Sequence, residues 1–148
     1  MKKLMATTND TVVTMARVIL GLVFFAHGAQ KVLGWWGGFG YTGTMHAFTQ
    51  MMHIPAPLAF LAIMAEFLGG FCLLIGLFAR VAAFGIAVNM IVAVLTIHRH
   101  VGFFMNWYGN QQGEGWEYHI LAIALALVIL IRGAGAYSVD GALAAKTS

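Results

Sequence analysis

The sequence predicts an all-α integral membrane protein built as a bundle of four transmembrane helices, and three observations carry that prediction. Four long apolar stretches fill most of the 148 residues. The composition is 61% hydrophobic and 9% charged, with a mean hydropathy of +0.85. The ionisable residues sit inside those stretches or at their outer ends, and do not form the polar face that a soluble helix needs. Such a chain falls outside the composition of soluble globular domains.

The spans are predicted at 12–33, 57–77, 81–98 and 116–132. The first three reach the ~17–25 residues that cross a bilayer as helix. The fourth is long enough only if Trp116, Glu117 and Tyr118 begin it and Gly133 ends it. One domain over 1–148 follows, with no room for a soluble catalytic domain. Lys2-Lys3 resembles the start of a signal peptide, but Arg17 interrupts the apolar run and no small-residue cleavage site follows, so the first span is expected to be retained. Arg17 itself is expected to snorkel to the membrane edge. Cys72 stands alone in the second span without a CxxC, which reads as a small hydrophobe and argues against thiol–disulfide chemistry within the chain.

The net charge of +3 is spread over scattered basic residues, with no run longer than Lys2-Lys3. That pattern argues for membrane topology and against nucleic acid as a partner. Four spans put both termini on one side, together with Lys2, Lys3, Arg17, Arg80, Arg132 and Lys146. The other side carries Lys31 and Arg99. Both termini are therefore predicted cytoplasmic. Two outer loops, 35–56 and 99–116, are rich in aromatics and glycine. Trp35, Trp36, Trp107 and Trp116 all fall on that side. An interfacial belt accounts for any one of them, but a belt normally marks both interfaces. The loops are accordingly read as a cap over a pocket.

Polar residues converge under that cap. Glu66 lies nine residues into the second span, ~13 Å deep at the rise of a helix. Asn89 lies at a similar depth in the third. His27, Gln30 and Lys31 close the first span, and Glu117 and His119 open the fourth. Small residues share the faces of Glu66 (Ala59, Ala62, Ile63, Gly69, Gly70, Leu73) and of Asn89 (Ala82, Gly85, Ile86, Ala93, Thr96). These read as packing faces that turn the polar groups into the bundle. A carboxylate in hydrocarbon must be paired, protonated or wet. Its candidate partners are His27 and Lys31, one turn apart. A hydrogen-bonded clamp fixing the bundle register would explain Glu66; so would a site for a polar or redox-active ligand. One interhelical amide bond would explain Asn89.

Six histidines are present. His98, His100 and His119 with Glu117 have a spacing that permits a metal site at the outer rim without specifying one. His27 and His119 have the depth for a haem pair. Neither metal nor haem is predicted. His46 and His53 read as solvent-exposed.

The segment RVILGLVFFAHGAQK from Arg17 to Lys31, followed by GWWGG from Gly34 to Gly38, resembles the opening of DoxX-family membrane proteins. Glu66-Phe-Leu-Gly-Gly70, Gly102-Phe-Phe104, Glu117-Tyr118 and the close GAGAYSVD over 133–140 match as well. The resemblance runs from about Ala16 to Asp140. One departure is Ala136, where a basic residue is expected; it puts a cytoplasmic contact in doubt and leaves the outer site untouched. The resemblance implies a four-helix protein of the bacterial or archaeal plasma (inner) membrane. It also implies relatives that are subunits of thiosulfate:quinone oxidoreductase or belong to oxidative-stress complexes.

The leading functional expectation is a quinone-interacting subunit of a membrane oxidoreductase, taking a quinone of ubiquinone or menaquinone type. His27 and Lys31 would donate hydrogen bonds to a quinone carbonyl, and Glu66 would exchange a proton. Gln30, Asn89, Trp35 and Trp36 would complete the binding surface. Glu117 and His119 would relay protons to the outer face. The sequence carries no flavin, haem or Fe–S motif, so a partner subunit supplying electrons is expected, or else a substrate that reacts directly, such as an outer-facing sulfur compound compatible with Arg99 and Lys31. A homo-oligomer is compatible with the chain. Two alternatives stand beside this reading. One is a non-catalytic docking or scaffold subunit. The other is a small metal-handling or transport protein, disfavoured by few charges and no broken helices.

Overall fold

A computed structural model describes residues 5–146, whose regular structure is all helical, with no strand among them. Lys2 and Lys3, counted above toward orientation, lie outside the described residues. Six α-helices follow in order: α1 (Thr11–Leu33), α2 (Gly40–His46), α3 (Ala56–Ile75), α4 (Ala79–Thr96), α5 (Glu117–Arg132) and α6 (Val139–Ala145). Three of them, α1, α3 and α4, are long and apolar enough to cross a membrane. With 16 residues, α5 spans ~24 Å, short of a ~30 Å hydrocarbon core. It begins after Trp116 and stops where Gly133 leaves helical backbone at φ 87°.

The long helices pack in sequence around a common core: α1 along α3, α3 along α4, α4 along α5, and α5 back on α1. Leu20, Phe24, Leu73, Ile86, Met90 and Ile129 fill that core, with alanines of α4 and α5 between them. The outward surfaces remain apolar. Val12, Ile19, Leu61, Phe84, Leu121 and Ile131 are all exposed. A soluble monomer rarely shows so much apolar surface, whereas acyl chains cover it without penalty.

Glycine sets the closest contact. A Cβ on Gly28 would meet the Phe67 backbone, and one on Gly70 would meet the Phe25 backbone. α1 and α3 therefore touch reciprocally, main chain to main chain, at two points. Gly28→Ala should push the helices apart and cost roughly 1–3 kcal/mol, as overpacking does. A thermal melt in detergent reads this out, and an unshifted midpoint would contradict the close approach.

The α3 face carrying Glu66 is buried much as its small residues imply, at Ala59, Ile63, Glu66, Gly69, Gly70 and Leu73, while Ala62 is half-buried. α4 is rotated from the expected face. Its buried stripe is Ala79, Ala82, Ala83, Ile86, Ala87 and Met90. Because α4 must cover both α3 and α5, the stripe shifts toward Ala87 and Met90. Asn89 is left at its edge and Thr96 is exposed.

At the end where α1 begins, the chain satisfies its helix termini with side chains. Asp10 caps α1 by accepting from the Val12 and Val13 amides at 2.9 and 3.3 Å. Arg17 does not snorkel. It is 1% exposed and donates to the carbonyls of Leu73, Leu74, Ala134 and Tyr137. The first two belong to the last turn of α3, where the Leu73 carbonyl also accepts from the Gly76 amide and a cation complements the helix dipole. Gly76 turns the chain at φ 71°. Asp140 of α6 then accepts from the Phe78 and Ala79 amides at 2.8 and 2.9 Å, capping α4 from a remote part of the sequence. Arg80 donates to the Leu130 carbonyl near the end of α5. Residues 6–10 and 133–140 thus gather at one end, joined by Thr8 N–H to the Arg132 carbonyl and by Asp140 N–H to the Gly76 carbonyl.

The opposite end holds the two loops. The first contains a turn at Trp35–Gly37, then α2, which continues through a wider turn at Ala47–Met51. The second, 99–116, is irregular. It is pinned where Trp116 and Glu117 N–H donate to the Gly102 and Phe103 carbonyls. Its aromatics do not close over a pocket. Trp107 and Tyr108 are 79% and 91% exposed, and Phe39 of the first loop is 83% exposed.

Candidate functional site

Three helices meet at Glu66. Lys31 of α1 forms an ion pair with its Oε2. Asn89 of α4 donates its amide to Oε1 at 3.0 Å. The Glu66 side chain is 8% exposed and that of Lys31 25%. Both carboxylate oxygens are thus satisfied in an apolar setting, which is what retaining a charge there requires. The sequence logic offered His27 and Lys31 as partners for Glu66; the hydrogen bonds go to Lys31 and Asn89.

His27 takes another place. It is exposed on the outward side of α1, one turn before Lys31 and near enough to feel the charges of Lys31 and Glu66. A shallow, open depression of ≈ 390 Å³, the groove of α1, lies on this surface, lined by Leu22, Val23, Ala26, His27, Gln30 and Trp36. The expectation that all the polar groups turn inward therefore fails for His27. Helix rise fixes depth and leaves rotation open, and the α1 face buried against α3 is that of Gly21 and Gly28. Trp36 reaches the groove because its backbone is left-handed, at φ 50°. Trp35 does not line the groove and stacks edge-on against Trp36 with ring centroids 5.5 Å apart.

Glu117 and His119 part company. Glu117 Oε1 accepts from the Met105 amide at 2.9 Å and the Trp107 indole at 3.3 Å, so it holds the second loop in place. His119 is buried, and its ring lies 4.3 Å from that of His98. His98 Nδ1 is 2.8 Å from the Glu114 carbonyl oxygen. His100 Nε2 accepts from Arg99 at 2.8 Å. Among the described residues no three His, Cys, Asp or Glu side chains come together as a metal-binding group. His27 and His119 do not face each other as a ligand pair; Tyr118 stands between them.

Sequence reasoning misses the buried place of the Tyr118 hydroxyl and the buried Asp140, and it puts Arg17 at the membrane edge when the side chain is 1% exposed. The Tyr118 hydroxyl is buried without a hydrogen bond, and so is Nδ1 of His119. The charge of Glu66 is felt at the phenol. The available signal was the position of Tyr118 just inside the fourth apolar stretch, where a polar tip has no water to meet.

The model of the DoxX family matches residues 12–99. The chain is 29% identical to the inner membrane protein YqjF of Escherichia coli (strain K12) over 146 residues, which cover 99% of each chain. It is 28% identical to CatD of Bacillus subtilis (strain 168), a protein provisionally named an oxidoreductase, over 115 residues that cover 78% of this chain and 75% of CatD. No solved structure matches the chain.

Proposed function

Because the chain belongs to the DoxX family, we propose that it is a quinone-binding membrane subunit of an oxidoreductase, with the α1 groove as the binding surface. We read α1, α3, α4 and α5 as four spans in a plasma-membrane bundle, multi-pass, with both termini cytoplasmic. The basic residues Arg17, Arg80, Arg132 and Lys146 then lie on the cytoplasmic side. The groove and the Glu66 cluster lie in the outer half.

The carrying observation is the groove itself. It lies on the outward side of α1, which on this reading faces the acyl chains from which a lipid-soluble ligand arrives, and it combines apolar walls with two side chains able to donate hydrogen bonds, His27 and Gln30. Trp36 adds an aromatic face for stacking. Those features fit a quinone head group, with a carbonyl at His27 or Gln30. A bound quinone supplies two-electron, two-proton redox chemistry. The residues of the chain would orient the ring and exchange protons at the His27 imidazole. Lys31, Glu66 and Asn89 stand behind the groove and fix the position of α1. The oxidoreductase name of CatD lends support to the redox reading.

Electrons would come from a partner subunit. The exposed aromatics Phe39, Trp107 and Tyr108 on the outer loops favour docking of that partner there, since Trp and Tyr dominate protein contacts.

The test is an organic extract of protein purified in mild detergent, analysed for quinones by mass spectrometry. Stoichiometric quinone is expected in the wild type. His27→Ala should retain roughly tenfold less, the worth of one hydrogen bond to a carbonyl. Quinone no more abundant than in an unrelated four-span protein would reject the proposal.

A further inference from the structure

Four ionisable rings stand in a row from the outer loop to the groove. His98 lies 4.3 Å from His119, His119 lies 5.5 Å from Tyr118, and Tyr118 lies 6.4 Å from His27, ring centre to ring centre. The row crosses three elements: the turn after α4, the start of α5 and the outer half of α1. We infer that His98, His119, Tyr118 and His27 conduct protons between the outer aqueous surface and the groove. This inference rests on the quinone reading above, because the groove is where the protons are used.

The hydrogen bonds single out this row. The buried side-chain polar atoms that lack a partner among the described residues are Tyr118 Oη and His119 Nδ1. A buried unsatisfied group costs ~1–3 kcal/mol, and two on consecutive residues call for a reason. They are the two middle members of the row. A buried water bridging such groups is ordinary in proteins and passes protons between them.

The outer member is prepared for its part. The Glu114 carbonyl can only accept, so His98 Nδ1 carries the hydrogen of that 2.8 Å bond. Nε2 of neutral His98 is then left as a base. A proton taken there passes to one ring nitrogen of His119, and the proton on the other nitrogen leaves. Tyr118 accepts on oxygen as its own hydroxyl proton moves on to His27. His27 passes a proton on to the ligand in the groove, so no charge stays buried; His119 is left in its other tautomer and the Tyr118 hydroxyl reversed, and both reset by rotation before the next transfer. Charged groups near the row include Lys31 and Glu66, whose charges reach His27, with that of Glu66 also reaching Tyr118, and Arg99 and Glu114 on either side of His98. Glu117 is given no part, because its Oε1 is engaged in holding the second loop through the Met105 amide and the Trp107 indole. Nor is His100, which is held by Arg99.

The test uses the full chain in lipid nanodiscs on an electrode, with decylubiquinone as the probe. Two quantities are read: decylubiquinone binding, by quenching of tryptophan fluorescence, and the rate of proton-coupled reduction of the bound probe at neutral pH. His119→Ala and Tyr118→Phe are expected to bind as the wild type does. Each should be slowed by ~10²-fold, the lower range for removal of a positioned acid–base group. Added imidazole should restore the His119→Ala rate. Wild-type rates in both variants, or a slowing that imidazole does not relieve, would overturn the row and leave the quinone reading standing. Failure of the wild type to bind decylubiquinone would overturn the quinone reading, and the row with it. Should His119→Ala fail to fold, Tyr118→Phe alone decides, because it removes only the hydroxyl.

Discussion

Asp140→Ala is expected to lose ~3–5 kcal/mol of stability, the cost of removing one partner from a buried charged network. The residue is 1% exposed, as is Arg17. Its carboxylate satisfies the Phe78 and Ala79 amides at the start of α4. Phe78 is held there in left-handed backbone at φ 47°, a conformation that a phenylalanine adopts only under constraint. The mutation would orphan two amides, release that constraint and leave Arg17 without its nearby counter-charge. Arg17→Met should cost a similar amount by removing the donor shared by the Leu74, Ala134 and Tyr137 carbonyls and leaving Leu73 only its bond from the Gly76 amide. The two defects share one network, so the double variant should lose clearly less than their sum. Unfolding in mixed dodecyl maltoside and dodecyl sulfate micelles measures all three. A wild-type midpoint for Asp140→Ala would show that the clamp contributes nothing.

That clamp marks the boundary of what could be read from the chain. Length and hydropathy reveal the long helices, because an apolar run of bilayer length has few other uses. Small residues around Glu66 reveal the face of α3, because a carboxylate among alanines and glycines has to point at a neighbour. The partners of Arg17 could not be read that way. They are backbone carbonyls at the end of another helix, and carbonyls leave no mark in a sequence. Asp140 caps α4 from sixty residues away, beyond any local capping pattern. The rotations of α1 and α4 were also hidden. Each helix packs against two neighbours, and a list of small residues does not say which neighbour claims which stripe. Hence His27 lies in an outward groove while Lys31, one turn later, reaches Glu66. The meeting of His98 with His119 depends on how the 99–116 loop returns, which is set by Glu117 binding the Met105 amide.

Lys31→Met should destabilise the protein by roughly 2–4 kcal/mol, somewhat less than a fully buried pair because the Lys31 side chain remains 25% exposed. The charge of Glu66 would then rest on the Asn89 amide alone. Glu66→Gln in the same chain should recover most of the loss. A glutamine keeps the Asn89 contact and carries no charge that needs a counter-ion. A double-mutant cycle on unfolding midpoints gives the coupling energy, and additive effects would mean that the ion pair adds no stability. The same four proteins, titrated with decylubiquinone, separate two roles for the pair. If Lys31 and Glu66 only hold α1 against α3, the double variant regains both stability and binding. If their charges also set the proton affinity of His27, the double variant regains stability while the pH at which binding changes stays displaced. The neutral pair no longer acts on the imidazole, whatever the helices do. Stability and ligand binding must therefore come apart in the Glu66→Gln/Lys31→Met protein for this cluster to count as part of the groove's chemistry.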